Sequence, residues 1–303
     1  MTADLILPEF RAAGTDLSER RRSGVSRGAI IDVPSTPAMT GVAWSTGGRA
    51  GIGASTTIAA IAADADLAAA YPGIVAAAGG LATPQIRHLA TLGGNIAQRS
   101  RCWYYRNPEI NCLKKGGATC PARDGNHLYG VAFDLGPCVA PHPSTMATAL
   151  LAYDAQVSTD QRDELTIAQL LGDGSDGARD HQLASGELIT GVALPPPLAN
   201  ERAAYKRAIG RTHAEWPLVE LVARVVTANG AFQSVHLAAG GVAPVPIRLG
   251  AAEAALQGKA ISAASIAAAA RQSGAGAKPL PMTSYKLALL AGLVQDLLEQ
   301  CTA

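Results

Sequence analysis

Four of the chain's five cysteines, Cys102, Cys112, Cys120 and Cys138, lie in one stretch, separated by nine, seven and seventeen residues. Thiolates are soft ligands, and four converging from one loop can hold an iron–sulfur cluster or a structural zinc ion. The spacings match neither the paired Cys-x-x-Cys of common zinc knuckles nor the tight ferredoxin run. A plainer reading leaves Cys138 buried beside an apolar strand and three thiols in the loop. Cys301 stands alone near the end and reads as incidental.

Two glycine loops are the second chemical feature: Ala12-Ala13-Gly14-Thr15-Asp16-Leu17 and Thr91-Leu92-Gly93-Gly94-Asn95-Ile96. Glycine lets backbone approach a ligand and turns successive N–H groups toward one anion, so both loops could cradle a pyrophosphate. Each could equally be a helix C-cap and a turn. Gly51-x-Gly53 lacks the third glycine of the dinucleotide fingerprint, which excludes a Rossmann reading. His88 and His142 read as structural hydrogen-bonding groups, and no Ser/His/Asp or paired-carboxylate pattern is visible. Binding loops and thiolates without a general acid or base point to an electron carrier rather than a site of substrate chemistry.

The elements that must position these groups follow from pattern. Short strands are expected at Ala29–Val33, Val42–Trp44 and Ala50–Ile52, then short helices at Ile58–Ala63, Leu67–Tyr71 and Ile74–Ala78. Thr83-Pro84 starts a helix over Gln85–Leu89, with Thr as cap and Pro at the first helical position, and this helix runs into the Thr91–Asn95 loop. Residues from about 99 to 138 read as an insert: Arg99, Arg101, Trp103, Tyr104, Tyr105, Arg106, Lys114 and Lys115 crowd among cysteines with no hydrophobic period. A bound metal or cluster would supply order that packing does not. A helix near Ser144–Tyr153 and strands near Gln156–Thr159 and Leu188–Leu194 follow.

Pro195-Pro196-Pro197 is a stiff connector and divides the chain into residues 1–197 and 198–303. Beyond it, strands near Ala203–Ala208, Leu218–Thr227 and Ser234–Leu237 precede Ala-rich helices and a last helix from about Ser284 to Glu299. Strands first and helices after give an α+β class. The core is built largely from Ala and other small residues, since aromatics are only 4% of the chain. A net charge of +1 offers no field for nucleic acid. No run of about 20 apolar residues suggests a membrane span. Met1 to Leu7 meets Pro8 without a secretory pattern, so the expected compartment is the cytoplasm, with export to the periplasm alongside a signal-bearing partner as the alternative.

The segment Gln85-Ile86-Arg87-His88-Leu89-Ala90-Thr91-Leu92-Gly93-Gly94-Asn95-Ile96, preceded by Ile52-Gly53-Ala54-Ser55-Thr56-Thr57, resembles the FAD-binding medium subunit of the molybdenum hydroxylases, the xanthine dehydrogenase, carbon monoxide dehydrogenase and aldehyde oxidoreductase group. Tyr205-Lys206-Arg207, the run from Ala239 to Arg248, and Thr283-Ser284-Tyr285-Lys286 are similar to that family's C-terminal domain, so the likeness spans nearly the whole chain. Arg101-Cys102-Trp103 and Cys138-Val139-Ala140-Pro141 are similar to members carrying an extra [4Fe-4S] cluster, as in periplasmic-type aldehyde oxidoreductases.

The resemblance implies a two-part FAD-binding domain of the vanillyl-alcohol-oxidase and CO-dehydrogenase-flavoprotein type, followed by a smaller α+β domain. It implies FAD contacts from Ala13, Gly14, Thr15, Asp16, Leu81, Thr91, Gly93, Gly94, Asn95 and Lys206, and cluster ligation by Cys102, Cys112, Cys120 and Cys138. It also implies partners: a large molybdopterin-binding subunit, a small [2Fe-2S] subunit and a small-molecule electron acceptor. Two readings stand beside it, a non-redox assembly subunit with structural zinc and a free-standing flavin oxidase. Three departures from the family pattern are visible. Only about a dozen residues precede the first loop, where a strand and a helix are usual; that loop has Ala13-Gly14 for Gly-Gly; and Thr145 replaces the acid of Pro-Ser-Asp. An Ala13 forced to positive φ would cost about 1 kcal/mol.

Overall fold

The computed structural model describes residues 7–210 and 215–303. The chain opens with strand β1 (Glu9–Arg11), helix α1 (Leu17–Arg22) and strand β2 (Ile30–Asp32), the two strands pairing in parallel. The first glycine loop is therefore the strand-to-helix turn of this small unit. A five-stranded antiparallel sheet follows, built from β3 (Val42–Trp44), β4 (Ala50–Gly53), β5 (Gln156–Thr159), β6 (Leu165–Thr166) and β7 (Ile189–Leu194), in the order β3-β4-β7-β5-β6.

Sharing a core with it are α2 (Ile58–Ala63), α3 (Ala65–Ala70), α4 (Pro72–Gly80), α6 (Leu92–Ile96), α8 (Thr145–Ala152) and α9 (Ile167–Leu171); α5 (Pro84–Leu89) packs on α2, and α7 (Trp103–Arg106) belongs to the insert. Caps fix several starts. Thr57, Asp64, Thr83 and Ser144 each accept a backbone N–H from the first turn of the helix they open. The second glycine loop departs from the expected turn. Thr91 caps Gly94 N and residues 92–96 close one turn of helix, because the capped turn outweighs the helix-breaking tendency of two glycines.

The C-terminal sheet is antiparallel, β11-β10-β9-β8, from β8 (Glu201–Ala208), β9 (Val219–Ala228), β10 (Ala231–Gly240) and β11 (Ile247–Arg248). Helices α10 (Gly250–Leu256), α11 (Ala263–Gln272) and α12 (Tyr285–Thr302) complete this part, α12 lying on β8 and β9. Cys301 is not in a tail, as the sequence suggested; it is buried in the last turn of α12. None of the described helices is long and apolar enough to cross a membrane.

The other face of the C-terminal sheet is covered by α4 and α8 of the first part. Val222, Ala238 and Val245 thus enter the same apolar core as Ile52, Ile58 and Leu150. A buried polar latch crosses this junction. Glu220 on β9 accepts hydrogen bonds from Thr145 Oγ1 (2.7 Å) and Thr148 Oγ1 (3.3 Å) on α8 and from Tyr205 OH (2.9 Å) on β8. Burial pushes its carboxyl pKa up, against the pull of these donors. Thr145, the departure noted in the sequence, is one of the three donors.

The insert is irregular apart from α7 and a single 3-10 turn at Leu113–Lys115. Its far end is more than a loop: Ala132 and Phe133 donate their N–H groups to Val242 O, and both join the C-terminal apolar core. Removing the latch tests the junction. Glu220→Ala takes the acceptor from Thr145 and Tyr205, Thr148 keeping Ser144 O, and should lower stability by about 1–3 kcal/mol, read as a shift in the urea midpoint with an unchanged slope.

Candidate functional site

The first glycine loop is shaped to receive an anion. Gly14 carries the positive φ of +72°, and Ala13 has an ordinary negative one, so the strain expected at Ala13 is absent. A Cβ on Gly14 would also stand 2.8 Å from Ser18 Oγ. The N–H groups of Ala13, Gly14, Thr15 and Asp16 have no protein acceptor among the described residues. Successive unpaired amides in one tight turn form a nest for a phosphate oxygen.

The second loop contributes differently. Leu92 N donates to Thr56 O (2.9 Å), Gly93 N to Ala54 O (2.8 Å) and Gly94 N to Thr91 Oγ1 (3.2 Å), so these amides are already used. Its value is closeness. A Cβ on Gly93 would lie 2.9 Å from Ala54 Cβ, and one on Gly94 would lie 3.9 Å from Ala12 Cβ, which brings the two loops into contact. Asn95 Oδ1 accepts from Ser144 Oγ (2.8 Å) and Met146 N (3.3 Å), fixing the loop to the start of α8.

Gly94 lies between two cavities. One, of about 150 Å³, is walled by Thr15, Asp16, Leu81, Gly94 and Asn95, with Trp216 facing them from the C-terminal part. The other, of about 330 Å³, meets Ala12, Thr91, Gly93, Gly94, Arg99 and Asp180. Lys206 lines neither. It pairs with Asp296 on α12, and its neighbour Arg207 lines the smaller cavity instead. Successive residues of a strand face opposite ways, so the one-residue difference decides which cation is inside.

Two buried charge knots join this site to the insert. Asp16 is bound by Arg106 (2.7 Å), Arg20 (3.0 Å) and Arg101 (3.1 Å), and accepts from Arg99 N (3.2 Å). Burial opposes its charge, but Arg101, Arg106 and Arg20 prevail and hold its pKa below the ordinary carboxylate value. Asp180 is held by Arg99 (2.6 Å) and Lys114 (2.8 Å), which likewise overcome burial and keep its pKa far down. Burial lowers the pKa of His142 to about 4 and of His181 to about 3, so both rings are neutral at pH 7. His88 Nδ1 sits 2.8 Å from Pro84 O, a structural contact as expected. Asp180 carried no sequence signal, because its partners Arg99 and Lys114 lie far away along the chain.

The four clustered cysteines are free thiols gathered at the insert, and all five in the chain are unpaired. Backbone N–H groups face every sulfur: those of Tyr104 and Tyr105 at Cys102, of Lys114 and Lys115 at Cys112, of Ala122, Arg123 and Val139 at Cys120, and of Ala140 at Cys138. Such donors favour thiolates. Burial pushes the Cys102 and Cys112 thiols up, whereas a hydrogen bond shared with Cys138 lowers Cys120 and raises Cys138. Among the described residues, no three His, Cys, Asp or Glu side chains converge tightly enough for one metal ion. A tetrahedral zinc with bonds of about 2.3 Å needs that convergence, so the zinc reading finds no support.

Comparison with known proteins places this geometry in context. The model of the FAD binding domain in molybdopterin dehydrogenase matches residues 9–197, and that of the CO dehydrogenase flavoprotein C-terminal domain matches residues 203–301. The aldehyde oxidoreductase FAD-binding subunit PaoB of Escherichia coli K12 is 36% identical over 182 residues, 58% of this chain and 56% of PaoB. The chain thus spans little more than half of that relative. A xanthine dehydrogenase FAD-binding subunit of E. coli O157:H7 is 24% identical over 82% of this chain and 71% of its own. Among solved structures, quinoline 2-oxidoreductase from Pseudomonas putida 86 (17% identity) and carbon monoxide dehydrogenase from Hydrogenophaga pseudoflava (20%) each superpose with a TM-score of 0.75, over 97% of this chain and 89% of theirs. The fold is shared with both.

The Asp180 knot yields a pH dependence. Its folded pKa is depressed, so its contribution is complete above the unfolded value of about 3.9 and is lost as pH falls below it. Asp180→Asn leaves Arg99 and Lys114 buried and unpaired and should cost about 3–5 kcal/mol at pH 7. The gap between wild type and variant, followed by denaturation at successive pH values, should narrow below about pH 4.

Proposed function

The chain belongs to the FAD-binding domain family of the molybdopterin dehydrogenases, and from that premise we propose that it is the flavin-bearing electron-transfer subunit of a three-part molybdenum hydroxylase, of the aldehyde oxidoreductase kind. Substrate is oxidised on a large molybdopterin-binding partner, and electrons reach this subunit through a small [2Fe-2S] partner and leave to an external acceptor. The observation that carries the reading is the run of unpaired amides at residues 13–16, set against Gly94 between the two cavities.

FAD supplies the ability to take electrons in pairs and release them singly. The chain's own residues do the rest. The amides of Ala13, Gly14, Thr15 and Asp16 bind the diphosphate. Gly93 and Gly94, having no side chains, would leave room for it beside Ala54 and Ala12. The Asp16 carboxylate, neutralised by Arg20, Arg101 and Arg106, does not repel it. Leu81 and Trp216 bound the space for a flat ring.

The same proposal assigns Cys102, Cys112, Cys120 and Cys138 to a [4Fe-4S] cluster. Four free thiols carried by one insert are the soft donor set that such a cluster takes.

Purification with the partner subunits, followed by iron and flavin analysis, tests both assignments. Cys120→Ser should remove about four irons per complex and the matching part of the visible absorbance while leaving FAD in place. Gly14→Ala places a side chain at positive φ, at a strain of about 1 kcal/mol, and should lower flavin occupancy with iron unchanged. A wild-type complex with its iron confirmed and no flavin absorbance would overturn the FAD assignment.

A further inference from the structure

A cavity of about 750 Å³ opens between the cysteine insert and the C-terminal part. It shares Arg101, Glu215, Trp216 and Pro217 with the smaller cavity assigned above to the flavin ring, so a single layer of side chains divides the two. Within that layer the Arg101 guanidinium lies 4.1 Å from the centre of the Trp216 ring. Cys102 is also on the cavity wall. The space therefore borders both proposed redox groups.

Its lining is unlike the rest of the molecule. The chain has only three Trp, seven Tyr and three Phe, yet Trp103, Tyr104, Tyr129, Trp216 and Tyr285 all line this one cavity. Three of them are not packed away: Trp103 is 60% exposed, Tyr129 50% and Trp216 47%. Trp103 and Tyr129 meet edge to face at 5.3 Å, an arrangement that leaves ring faces open. Exposed aromatics gathered in an aromatic-poor protein mark a place where something flat stacks.

The polar groups narrow the class. Lys286 is buried on the wall, and its Nζ donates to Gly241 O (2.7 Å) and Tyr129 O (3.4 Å). Burial lowers its pKa to about 7, and in the ammonium form the third proton is left for a ligand oxygen. Arg101 is committed to Asp16 and Glu19. Among the described residues the cavity therefore offers a diphosphate neither an uncommitted cation pair nor a nest of amides, and it suits an uncharged ring bearing carbonyl oxygens.

We propose that this cavity binds the electron acceptor and that the acceptor is a small quinone, stacked on Trp103 and Tyr129 with a carbonyl oxygen toward Lys286. The proposal rests on the flavin reading above. Two electrons pass singly from the reduced flavin across the Arg101–Trp216 layer, two protons come from the reduced flavin or water, and the quinone leaves as hydroquinone.

The test uses the purified complex with flavin and iron counted. Tryptophan fluorescence of the oxidised protein is titrated with 1,4-naphthoquinone, and reoxidation of the dithionite-reduced protein is followed with naphthoquinone and with ferricyanide. Saturable quenching and saturable reoxidation are expected. The double variant Trp103→Ala, Tyr129→Ala should raise both half-saturating concentrations at least tenfold with flavin and iron retained, while Leu135→Ala, exposed outside the cavity, should not. Unchanged half-saturation in the double variant overturns the proposal. So does flavin loss in that variant, since the cavity would then hold the flavin itself, and so does an equal slowing with ferricyanide. A preparation without flavin defeats the earlier reading instead, and in it the quenching titration still decides whether the cavity binds quinone.

Discussion

One mostly buried carboxylate, Asp16, ties together stretches of chain that are far apart in sequence. It ends the turn after β1, opens α1, and receives Arg101 and Arg106 from the insert. A carboxylate so placed could not stay charged without those arginines, and the arginines could not be buried without it. The shape of the glycine turn and the docking of the insert are consequently one condition. Asp180 repeats the arrangement on the other side, joining Arg99 at the exit of the glycine segment to Lys114 among the cysteines.

The two halves of the chain are locked by a different means. The C-terminal sheet is covered by α12 on one face and by α4 and α8 on the other, so its central strand β9 is buried on both faces from Val219 to Val225. Such close stacking suits the Ala-rich helices, and where a polar side chain falls in the seam it is satisfied across it, as Glu220 is by Thr145, Thr148 and Tyr205. A rigid seam keeps Trp216 opposite Leu81 and so fixes the width of the smaller cavity.

Local physics was readable in the sequence, and long-range pairing was not. Thr83 sits where a cap should be, and the helix it begins is there. The two glycine loops also meet, Gly94 beside Ala12, because each is a short run whose residue types carry their own meaning. By contrast, Gly93-Gly94 reads as a turn yet closes a helical turn, since the cap by Thr91 is worth more than glycine's preference against helix. That Arg207 rather than Lys206 lines the smaller cavity is not legible in the sequence, because the facing of a strand cannot be counted until its neighbours are known. Asp180 and His181 lie in a segment with no periodicity, and nothing local marks an acid that will meet Arg99 and Lys114.

The contact between Asn95 and Ser144 bears on how such a molecule comes to exist. One side-chain amide spans the chain from just before the insert to just after it, so the insert leaves and re-enters the scaffold at a single closed point. Everything between can lengthen or shorten at a cost that grows only with the logarithm of its size, about 0.6 kcal/mol for each doubling. Exchange of the cysteine segment as a cassette would still have to replace the charges that Arg101 and Arg106 bring to Asp16 and the side chains that Ala132 and Phe133 add to the C-terminal core.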